Sequence, residues 1–529
     1  MEEIVIVGAG PTGLWLAAEL RLQGTSVTVL EVRRERDPHS RALTIHPRTL
    51  EILGMRGLAD DFIAAGRPLP TGHFGALETR LDFSALETPY PFTLFLPQAR
   101  TEELLEEHAR ARGARIRRGH RVTALEQGAE AVRVEVEGPA GPYRLEARYA
   151  VGCDGTRSQV REAAGIDFPG TGTSVWGWLG DVVLDQPPGG PVSAFGPDGG
   201  VMAVPMTDGL TRLVGVAPED HRSDHPGELT LEEVREKTVR VLGTDYGMRD
   251  PFWLSRFGNA TRQAAAYREG RVLLAGDAAH MHFPAGGVGL NVGFQDATNL
   301  GWKLAATVRG SATASSSASQ GAATTELLDT YHAERHPVGA RLLDSTRAQT
   351  ALMAAGSAEG RALRAYLADM IRDLPDFSRA LAEQLCALDV RYPPTRLGPD
   401  ADVVHDADAE IAAHPLTGAR APDLVFADGT SLFPLMTQGR HLLLDLTGAT
   451  DADADADTDT DADTGTTTDA ASLGGPLPPG TRRHAARLRQ PDSRWSTVST
   501  VLIRPDGHVA RADGHRASVS SRPGSRAAA

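Results

Sequence analysis

The sequence predicts a mixed α/β and α+β protein, and three segments with the same local pattern support that prediction. Near residues 4, 149 and 271, a short apolar run leads into a glycine-containing turn and then into a helical stretch. A continuous apolar run of this kind is typical of a strand covered on both faces, as in a parallel sheet flanked by helices. The chain has 529 residues, enough for about two to four domains.

The first segment carries a dinucleotide-binding fingerprint. Residues 4–7 are followed at once by Gly8-Ala9-Gly10-Pro11-Thr12-Gly13, then by a helical stretch and a second strand-like run that ends at Glu31. In this setting the first glycine makes the tight turn, the second lets backbone approach a pyrophosphate, and the third lets the helix pack on the strand. Glu31 lies 21 residues after Gly10, where a carboxylate accepts hydrogen bonds from an adenosine ribose. The motif predicts dinucleotide binding and leaves NAD and FAD open.

Two further strand-like runs are followed by an Asp beside a Gly. Residues 149–153 lead into Asp154-Gly155-Thr156-Arg157-Ser158, and residues 271–275 lead into Gly276-Asp277-Ala278-Ala279-His280. A glycine-rich turn over residues 283–291 then opens a long helix that we expect to end near residue 309. An acidic residue at a strand end can hold a polyol hydroxyl, and a helix start can present amides to an anionic oxygen. Two more strand–turn–helix units of one sheet would explain the glycines but not the repeated acidic residue.

The order and spacing of these motifs resemble the group A flavin monooxygenases, which have the para-hydroxybenzoate hydroxylase fold. Within that group the likeness is greatest to actinobacterial aromatic polyketide hydroxylases and rifampicin monooxygenase. Supporting stretches are Ser40-Arg41-Ala42, Pro47-Arg48-Thr49-Leu50-Glu51, Pro97-Gln98 and residues 327–337. The resemblance covers residues 1–350 strongly and the remainder weakly. It implies a Rossmann-like FAD-binding domain that a sheet-based substrate domain interrupts, followed by a thioredoxin-like C-terminal domain. The implied boundaries are 1–70, 98–171 and 267–390 for the FAD-binding domain, 71–97 and 172–266 for the substrate-binding domain, and 395–529 for the C-terminal domain with a disordered acidic insertion at 449–472.

The resemblance also implies which residues contact FAD. The fingerprint glycines would face the pyrophosphate, Glu31 the adenosine ribose, and residues 286–291 the pyrimidine edge of the ring. One departure is Val288, where many relatives carry Gln. The implied chemistry is centred on the flavin, and the candidate catalytic residues are Arg41, Pro284 and Gly286. The implied cofactor-binding residues are Gly8, Gly10, Pro11, Thr12, Gly13, Glu31, Val32, Arg33, Arg41, Ala42, Gln98, Arg100, Asp154, Gly155, Arg157, Gly276, Asp277, Pro284, Gly286, Gly287, Val288, Gly289, Leu290 and Asn291.

The chain has one dinucleotide fingerprint, so we expect NADPH or NADH to visit transiently as the reductant and not to occupy a domain of its own. The resemblance implies that reduced flavin adds O2 to form a C4a-hydroperoxide, which hydroxylates an electron-rich ring. The protein then mainly places the reactants and excludes water, and we expect no dedicated acid–base pair. The implied activity is hydroxylation of an aromatic polyketide or related polycyclic phenol, in antibiotic biosynthesis or modification.

Two alternatives remain open on the same scaffold, Baeyer–Villiger oxygen insertion and flavin or ligand binding without catalysis, whereas a missing signature argues against a third, a flavin halogenase. Baeyer–Villiger oxygen insertion starts from the same flavin peroxide, and the sequence does not separate it from hydroxylation. A flavin halogenase would need a Trp-x-Trp-x-Ile-Pro signature, whereas residues 176–181 lack its Ile-Pro end. A flavin- or ligand-binding protein without catalysis would bind FAD but show no substrate-stimulated NAD(P)H consumption.

The substrate chamber is expected in the two stretches that interrupt the cofactor domain, because both contain several aromatic residues. Such side chains can face a flat polycyclic ligand, although each is individually more typical of a core. Arg212 is a candidate anchor for a phenolate. The candidate substrate residues are Phe74, Phe95, Trp178, Met202, Arg212 and Phe283.

Composition argues against several other classes of protein. The net charge of −15 disfavours nucleic acid, although the eight aspartates of residues 451–469 supply more than half of it. Two cysteines in a chain of this length exclude a disulfide scaffold and favour the cytoplasm. The sequence shows no long apolar stretch and no basic leader, so we expect no membrane partner. We expect a monomer or homodimer that binds a small aromatic molecule.

No metal site is expected. His280 and His282 flank Met281, but no third ligand stands at a suitable spacing. The acidic run lacks the Gly and terminal Glu of an EF-hand calcium loop. The C-terminal region has strand-like runs at 424–426, 441–446 and 500–504 and no Cys-x-x-C motif, so thiol redox chemistry is excluded for it.

Overall fold

The computed structural model describes residues 1–206, 209–313, 318–394, 414–447, 477–490 and 494–514. The expected acidic insertion at 449–472 lies outside these residues. The chain divides into a larger unit, residues 1–390 with 437–439, and a smaller unit, residues 391–436 with 440–529. None of the described helices combines the length and the apolar character needed to cross a bilayer.

The larger unit begins with strands and helices in alternation, has a run of antiparallel strands in its middle and ends with four consecutive helices. The strands of the chain are β1 Glu2–Val7, β2 Val27–Glu31, β3 Thr44–Ile45, β4 Arg67–Leu69, β5 Thr71–Gly72, β6 Leu81–Asp82, β7 Thr93–Phe95, β8 Arg115–Arg118, β9 Arg121–Gln127, β10 Val132–Gly138, β11 Gly141–Gly152, β12 Gly170–Thr171, β13 Trp176–Leu184, β14 Val192–Gly196, β15 Gly199–Pro205, β16 Leu210–Val216, β17 Met248–Gly258, β18 Thr261–Gln263, β19 Arg268–Glu269, β20 Val272–Leu274, β21 His280–Met281, β22 Leu442–Asp445, β23 Arg482–Ala485, β24 Val498–Ile503 and β25 Val509–Gly514. The helices are α1 Pro11–Leu22, α2 Pro47–Gly54, α3 Ala59–Ala65, α4 Gln98–Ala111, α5 Gln159–Ala163, α6 Leu231–Leu242, α7 Gly289–Thr313, α8 Ala318–Met353, α9 Ala358–Asp373, α10 Pro375–Cys386 and α11 Leu432–Leu435, with short 3-10 turns at Pro218–Asp220, Gly276–Ala278 and Ala285–Gly287.

The first sheet has eight strands in the order β19-β20-β11-β1-β2-β8, with β10 and β9 continuing from β11. Strands β20, β11, β1, β2 and β8 run parallel. The apolar residues 4–7 of β1 are buried, as their continuous run predicts. Helices α1 and α7 pack together, and the rings of Trp15 and Phe294 stack 4.4 Å apart between them. Because β1, β11 and β20 are neighbours and parallel, the three glycine motifs that follow them meet at one edge of the sheet.

The second sheet is built between β11 and β20, as the interrupted fold predicts. Its five antiparallel strands lie in the order β14-β15-β16-β13-β17. The buried core on one face of this sheet contains Trp178 of β13, Leu213 of β16 and Val234 of helix α6. Asp181 and Arg212 are paired across β13 and β16, and because side chains alternate along a strand they point to the opposite face.

A smaller group of elements packs beside the turn at Ala285–Gly287. The hairpin β5–β6 and the helices α9 and α10 share an apolar core that includes Leu81, Phe83, Val288 and Leu385. This core brings residues from the first interrupting stretch next to the start of α7.

The smaller unit contains a four-stranded sheet in the order β23-β22-β24-β25. Strands β22 and β23 are parallel and the other pairs are antiparallel. The runs predicted at 441–446 and 500–504 correspond to β22 and β24, whereas Val425 and Phe426 form only isolated bridges. The thioredoxin-like assignment stays a prediction.

Candidate active site

The glycines of the first motif have two different reasons to be glycine. A β-carbon on Gly8, whose φ is +104°, would lie 2.3 Å from the Cys153 carbonyl oxygen, and one on Gly13 would lie 2.1 Å from the Gly8 carbonyl oxygen. Gly8 and Gly13 are therefore required by the protein's own backbone. A β-carbon on Gly10 would meet no described atom within 4 Å. Gly10 thus borders open space, which suits the close approach of a ligand.

Helix α1 begins beside this space with its amide groups exposed to a ligand. Pro11 stands at its first position, which its fixed φ suits. Among the described residues, no side chain caps this end, and no acidic residue stands in its first turn. The positive end of the helix is therefore open to an anion such as a pyrophosphate.

Glu31 holds the turn from the end of β2. Its Oε2 accepts a hydrogen bond from the Ala9 amide and its Oε1 one from the Arg33 amide, both at 2.8 Å. Next to it Val32 is exposed, and Arg33 forms an ion pair with Asp37 at 3.2 Å. The carboxylate is thereby fixed at the edge where the adenosine ribose is expected.

The carboxylate of the second motif is bound inside the chain. Asp154 accepts hydrogen bonds from Ser158 Oγ at 2.5 Å and from the Val160 amide at 3.2 Å, at the start of α5. Burial raises its pKa. Gly155 has a φ of +80°, and Arg157 is exposed. In this arrangement Asp154 stabilises the turn, and Arg157 is the side chain of the motif that a ligand can reach.

The third motif is supported by a buried ionic network. Asp296 on α7 contacts the His280 Nε2 atom and Arg335 Nε, both at 2.7 Å, and accepts a hydrogen bond from the Gly276 amide at 3.1 Å. Burial opposes its ionisation, but Arg335 and His280 hold the pKa of Asp296 at about 2. Asp277, next to the fixed amide, has an exposed side chain. Sequence reasoning missed Asp296, although Arg335 stands in one of the stretches that support the resemblance.

The side chain of Asn291 fixes the glycine-rich turn before α7. Its Oδ1 accepts hydrogen bonds from the His46 amide and from Thr49 Oγ1, both at 2.8 Å, while its Nδ2 donates to Thr44 O and Gly287 O. A β-carbon on Gly287, whose φ is +67°, would lie 2.2 Å from Thr44 Oγ1. Asn291 therefore shapes the turn through bonds to the protein itself, and its contact with FAD stays a prediction.

His46 is a second residue of this turn that sequence reasoning missed. Its Nε2 atom lies 2.9 Å from the Gly286 carbonyl oxygen, and burial lowers its pKa to about 4. The imidazole is therefore neutral near pH 7 and donates from Nε2. The remaining turn residues are divided: Val288 is buried in the apolar core, and Pro284, Gly289 and Leu290 are partly or fully exposed.

The loop that carries Arg41 lies between the two sheets. The Ala42 amide donates to Gln98 Oε1 at 3.0 Å, and the Ala99 amide donates to Ser40 Oγ at 3.1 Å, so the loop is tied to the start of α4. The Arg41 side chain is exposed, as is that of Arg100 on α4.

Arg212 holds this loop and is not available as a phenolate anchor. Its guanidinium binds Asp181 through two bonds of 2.7 and 2.6 Å, and it donates to the carbonyl oxygens of Ser40 at 2.5 Å and Arg41 at 3.2 Å. The side chain is 3% exposed. The prediction of Arg212 as a substrate residue is therefore corrected, because its donors are committed to the protein.

The other predicted substrate residues differ in accessibility. Trp178 has no exposed surface and belongs to the core under the second sheet, so its prediction as a substrate contact is also corrected. Phe283 is buried against Val216 and Ala285. Phe74, Phe95 and Met202 are partly buried, which leaves them able to contact a ligand.

Within the described residues, no group of three or more His, Cys, Asp or Glu side chains could hold a metal ion.

Two family descriptions match the chain and together span most of it. One, an FAD binding domain, matches residues 1–346, and the other, the C-terminal part of aromatic-ring hydroxylases, matches residues 414–528. The chain belongs to the FAD-dependent aromatic-ring hydroxylases. The resemblance inferred from the motifs is confirmed.

Individual members of the family are similar over nearly the whole chain. An uncharacterized aromatic compound monooxygenase of Bacillus subtilis is 44% identical over 96% of this chain and 93% of its own. The rifampicin monooxygenase of Streptomyces venezuelae is 39% identical over 96% and 95%. The solved structure of the anhydrotetracycline hydroxylase OxyS from Streptomyces rimosus superposes with a TM-score of 0.80 at 40% identity, covering 98% of this chain and 96% of that one. The protein is therefore an FAD-dependent monooxygenase of this family.

The residues present fit FAD. Open space borders Gly10 next to the uncapped amides of α1, Glu31 stands at the end of β2, and Asp277 exposes a carboxylate at the end of β20. These features lie along the edge where β1, β11 and β20 end side by side.

Proposed function

We propose that this monooxygenase consumes NAD(P)H and hydroxylates an aromatic polyketide or a related polycyclic phenol, in antibiotic biosynthesis or modification. The observation that carries the proposal is the meeting of three glycine motifs at one sheet edge, beside a loop that Arg212 ties to the second sheet. Relatives named for anhydrotetracycline and rifampicin, both polycyclic, support this substrate class.

The proposed FAD contacts follow the polarity of the site. The Gly10 backbone and the amides of α1 would hold the pyrophosphate, Glu31 the adenosine ribose and Asp277 the ribityl side. The backbone of Gly286 and Gly287 would border the ring. Bound FAD, reduced by NAD(P)H, supplies the activation of dioxygen and the transfer of one oxygen atom.

The chain's own residues then position the reactants and exclude water. Neutral His46 donates to the Gly286 carbonyl and so fixes the turn on which the ring would rest. Arg212 fixes the Ser40–Arg41 backbone through its bonds to the two carbonyl oxygens. The proposal needs no general acid–base pair.

The test is NAD(P)H oxidation by the purified holoenzyme against a panel of polyketide aglycones under 18O2. We expect faster oxidation with a substrate present and a product that gains one labelled oxygen atom. Alkaline hydrolysis of the product separates the alternatives, because a Baeyer–Villiger lactone gains water and a phenol does not. Protein that releases flavin on heating but shows no substrate-stimulated oxidation would instead be a non-catalytic flavin-binding protein.

A further inference from the structure

The hairpin β5–β6 places two polar residues at one end of a short ladder. Thr71 pairs with Asp82 and Gly72 with Leu81, so His73 and Arg80 occupy the next position of the same antiparallel register. Both side chains are partly buried, and the Nδ1 atom of His73 is enclosed without a hydrogen-bond partner among the described residues.

This end of the hairpin lies beside the Gly286 turn. The Gly75 amide donates to Gln349 Oε1 at 3.1 Å, and the same oxygen lies 3.4 Å from the position that a β-carbon on Gly286 would take. Leu81 shares a buried core with Val288. His73 and Arg80 are therefore next to the turn proposed to border the flavin ring.

The arginines of this neighbourhood differ in their partners. Arg364 on α9 donates to the carbonyl oxygens of Gly75, Ala76 and Leu352 at 2.8–3.0 Å. Arg212 is bound to Asp181 and to two carbonyl oxygens. Arg80, in contrast, makes no hydrogen bond and no ion pair within the described part of the chain, although burial already lowers its pKa.

The imidazole of His73, which interacts electrostatically with Arg80, is neutral near pH 7. Burial, with Arg80 and His46 as further causes, lowers the pKa of His73 to about 4, and burial lowers that of His46 to about 4. The Nδ1 atoms of both imidazoles lack a partner among the described residues. A partly buried cation beside neutral donors and acceptors is stabilised by an anionic oxygen, because a charge-assisted hydrogen bond then offsets the lost hydration.

We propose that Arg80 binds an ionised hydroxyl of the substrate, a phenolate or enolate, with His73 Nδ1 as a second contact. This proposal rests on the proposed function and narrows it to substrates with an acidic hydroxyl. It also replaces the predicted anchor Arg212 with a cation whose donors are available.

The test uses alizarin, a dihydroxyanthraquinone whose absorption shifts to the red when it ionises, and its dimethyl ether. We expect the holoenzyme to bind alizarin with the shifted spectrum, and Arg80→Met to weaken binding by about 10- to 100-fold and to abolish the shift. Arg80→Lys should retain part of both. The ether should bind equally to wild type and Arg80→Met. Arg379→Met, an exposed arginine on α10, is the matched control and should match wild type.

Two outcomes would overturn the proposal: equal alizarin affinity in wild type and Arg80→Met, or equal losses for alizarin and its ether. FAD content and thermal unfolding identify a misfolded variant, in which case Arg80→Lys and Arg80→Gln decide. Where another aglycone is the better substrate, its KM and that of its methyl ether replace alizarin. If wild type turns over a substrate and Arg80→Met has the same KM for it, the role of Arg80 is refuted and the proposed function stands. If wild type turns over no substrate, the proposed function is refuted.

Discussion

The two ends of the proposed flavin site are built differently. At the pyrophosphate end, backbone contacts backbone: Gly13 packs against the Gly8 carbonyl, and Gly8 packs against the Cys153 carbonyl. At the ring end, side chains with buried charges or neutral imidazoles hold the backbone, as Arg212 and His46 do. The first end is therefore sensitive to added volume and the second to lost charge.

The largest effect is expected at the ring end, from Arg212→Met. The change leaves Asp181 buried without a counter-charge, which destabilises a protein by about 3–5 kcal/mol. It also removes the donors to Ser40 O and Arg41 O. We expect a lower unfolding midpoint and faster trypsin cleavage after Arg41, measured by thermal unfolding and mass spectrometry.

The double variant Arg212→Met/Asp181→Leu separates these two effects. It removes the unpaired charge, so the unfolding midpoint should recover, while the loop stays free and cleavage stays fast. If the unfolding midpoint and the slow cleavage after Arg41 both recovered, Arg212 would stabilise the second sheet and would not hold the loop.

The contrast between the ends also explains what could be predicted from the sequence. Gly8, Gly13 and Glu31 stand at fixed spacing along the chain, because one strand–turn–helix unit needs them, and the fold class followed from such units. The partners of Arg212 are 31 and 171–172 residues away, and no local pattern reveals such a pairing. The partners of Asp296 are 16 to 39 residues away and that of His46 is 240 residues away, so no local pattern reveals them either.

The next largest effect concerns the pH dependence of stability. We expect His46 to change the free energy of unfolding by about 3 kcal/mol between neutral pH and pH 4. Folded, His46 binds its proton near pH 4, because burial lowers its pKa; unfolded, it does so near pH 6.5. Between these values the unfolded state binds more protons, so the free energy of unfolding falls as pH falls from about 6.5 to about 4. His46→Gln, which keeps a donor for Gly286 O, should flatten that slope in urea unfolding of the holoenzyme. An unchanged slope would mean that other groups, such as His73, dominate it.

At the pyrophosphate end, Gly13→Ala should lower the stability of the fold, whereas Gly10→Ala should lower the affinity for FAD. The β-carbon at residue 13 would lie 2.1 Å from Gly8 O, and overpacking of this kind destabilises by about 1–3 kcal/mol. The β-carbon at residue 10 meets no described atom within 4 Å, so apoprotein stability should stay within about 0.5 kcal/mol while FAD affinity falls. Unfolding of the apoproteins and flavin titration measure the two quantities. A destabilised Gly10→Ala apoprotein would place the constraint in the fold and not in the cofactor.

The smallest effect is expected from Glu31→Gln, because the change keeps the shape of the side chain. The amide oxygen can still accept one of the two backbone hydrogen bonds that the carboxylate accepts from Ala9 and Arg33, and the loss of a charge-assisted bond amounts to about 1 kcal/mol. If Glu31 also holds the adenosine ribose, FAD affinity should fall about 5- to 10-fold while the KM for the aromatic substrate stays unchanged. Glu107→Gln, at an exposed position of α4, should leave both quantities unchanged. An equal loss of FAD affinity in both variants would indicate a general effect of surface charge, and an altered substrate KM in Glu31→Gln alone would mean that the two ends of the site are coupled.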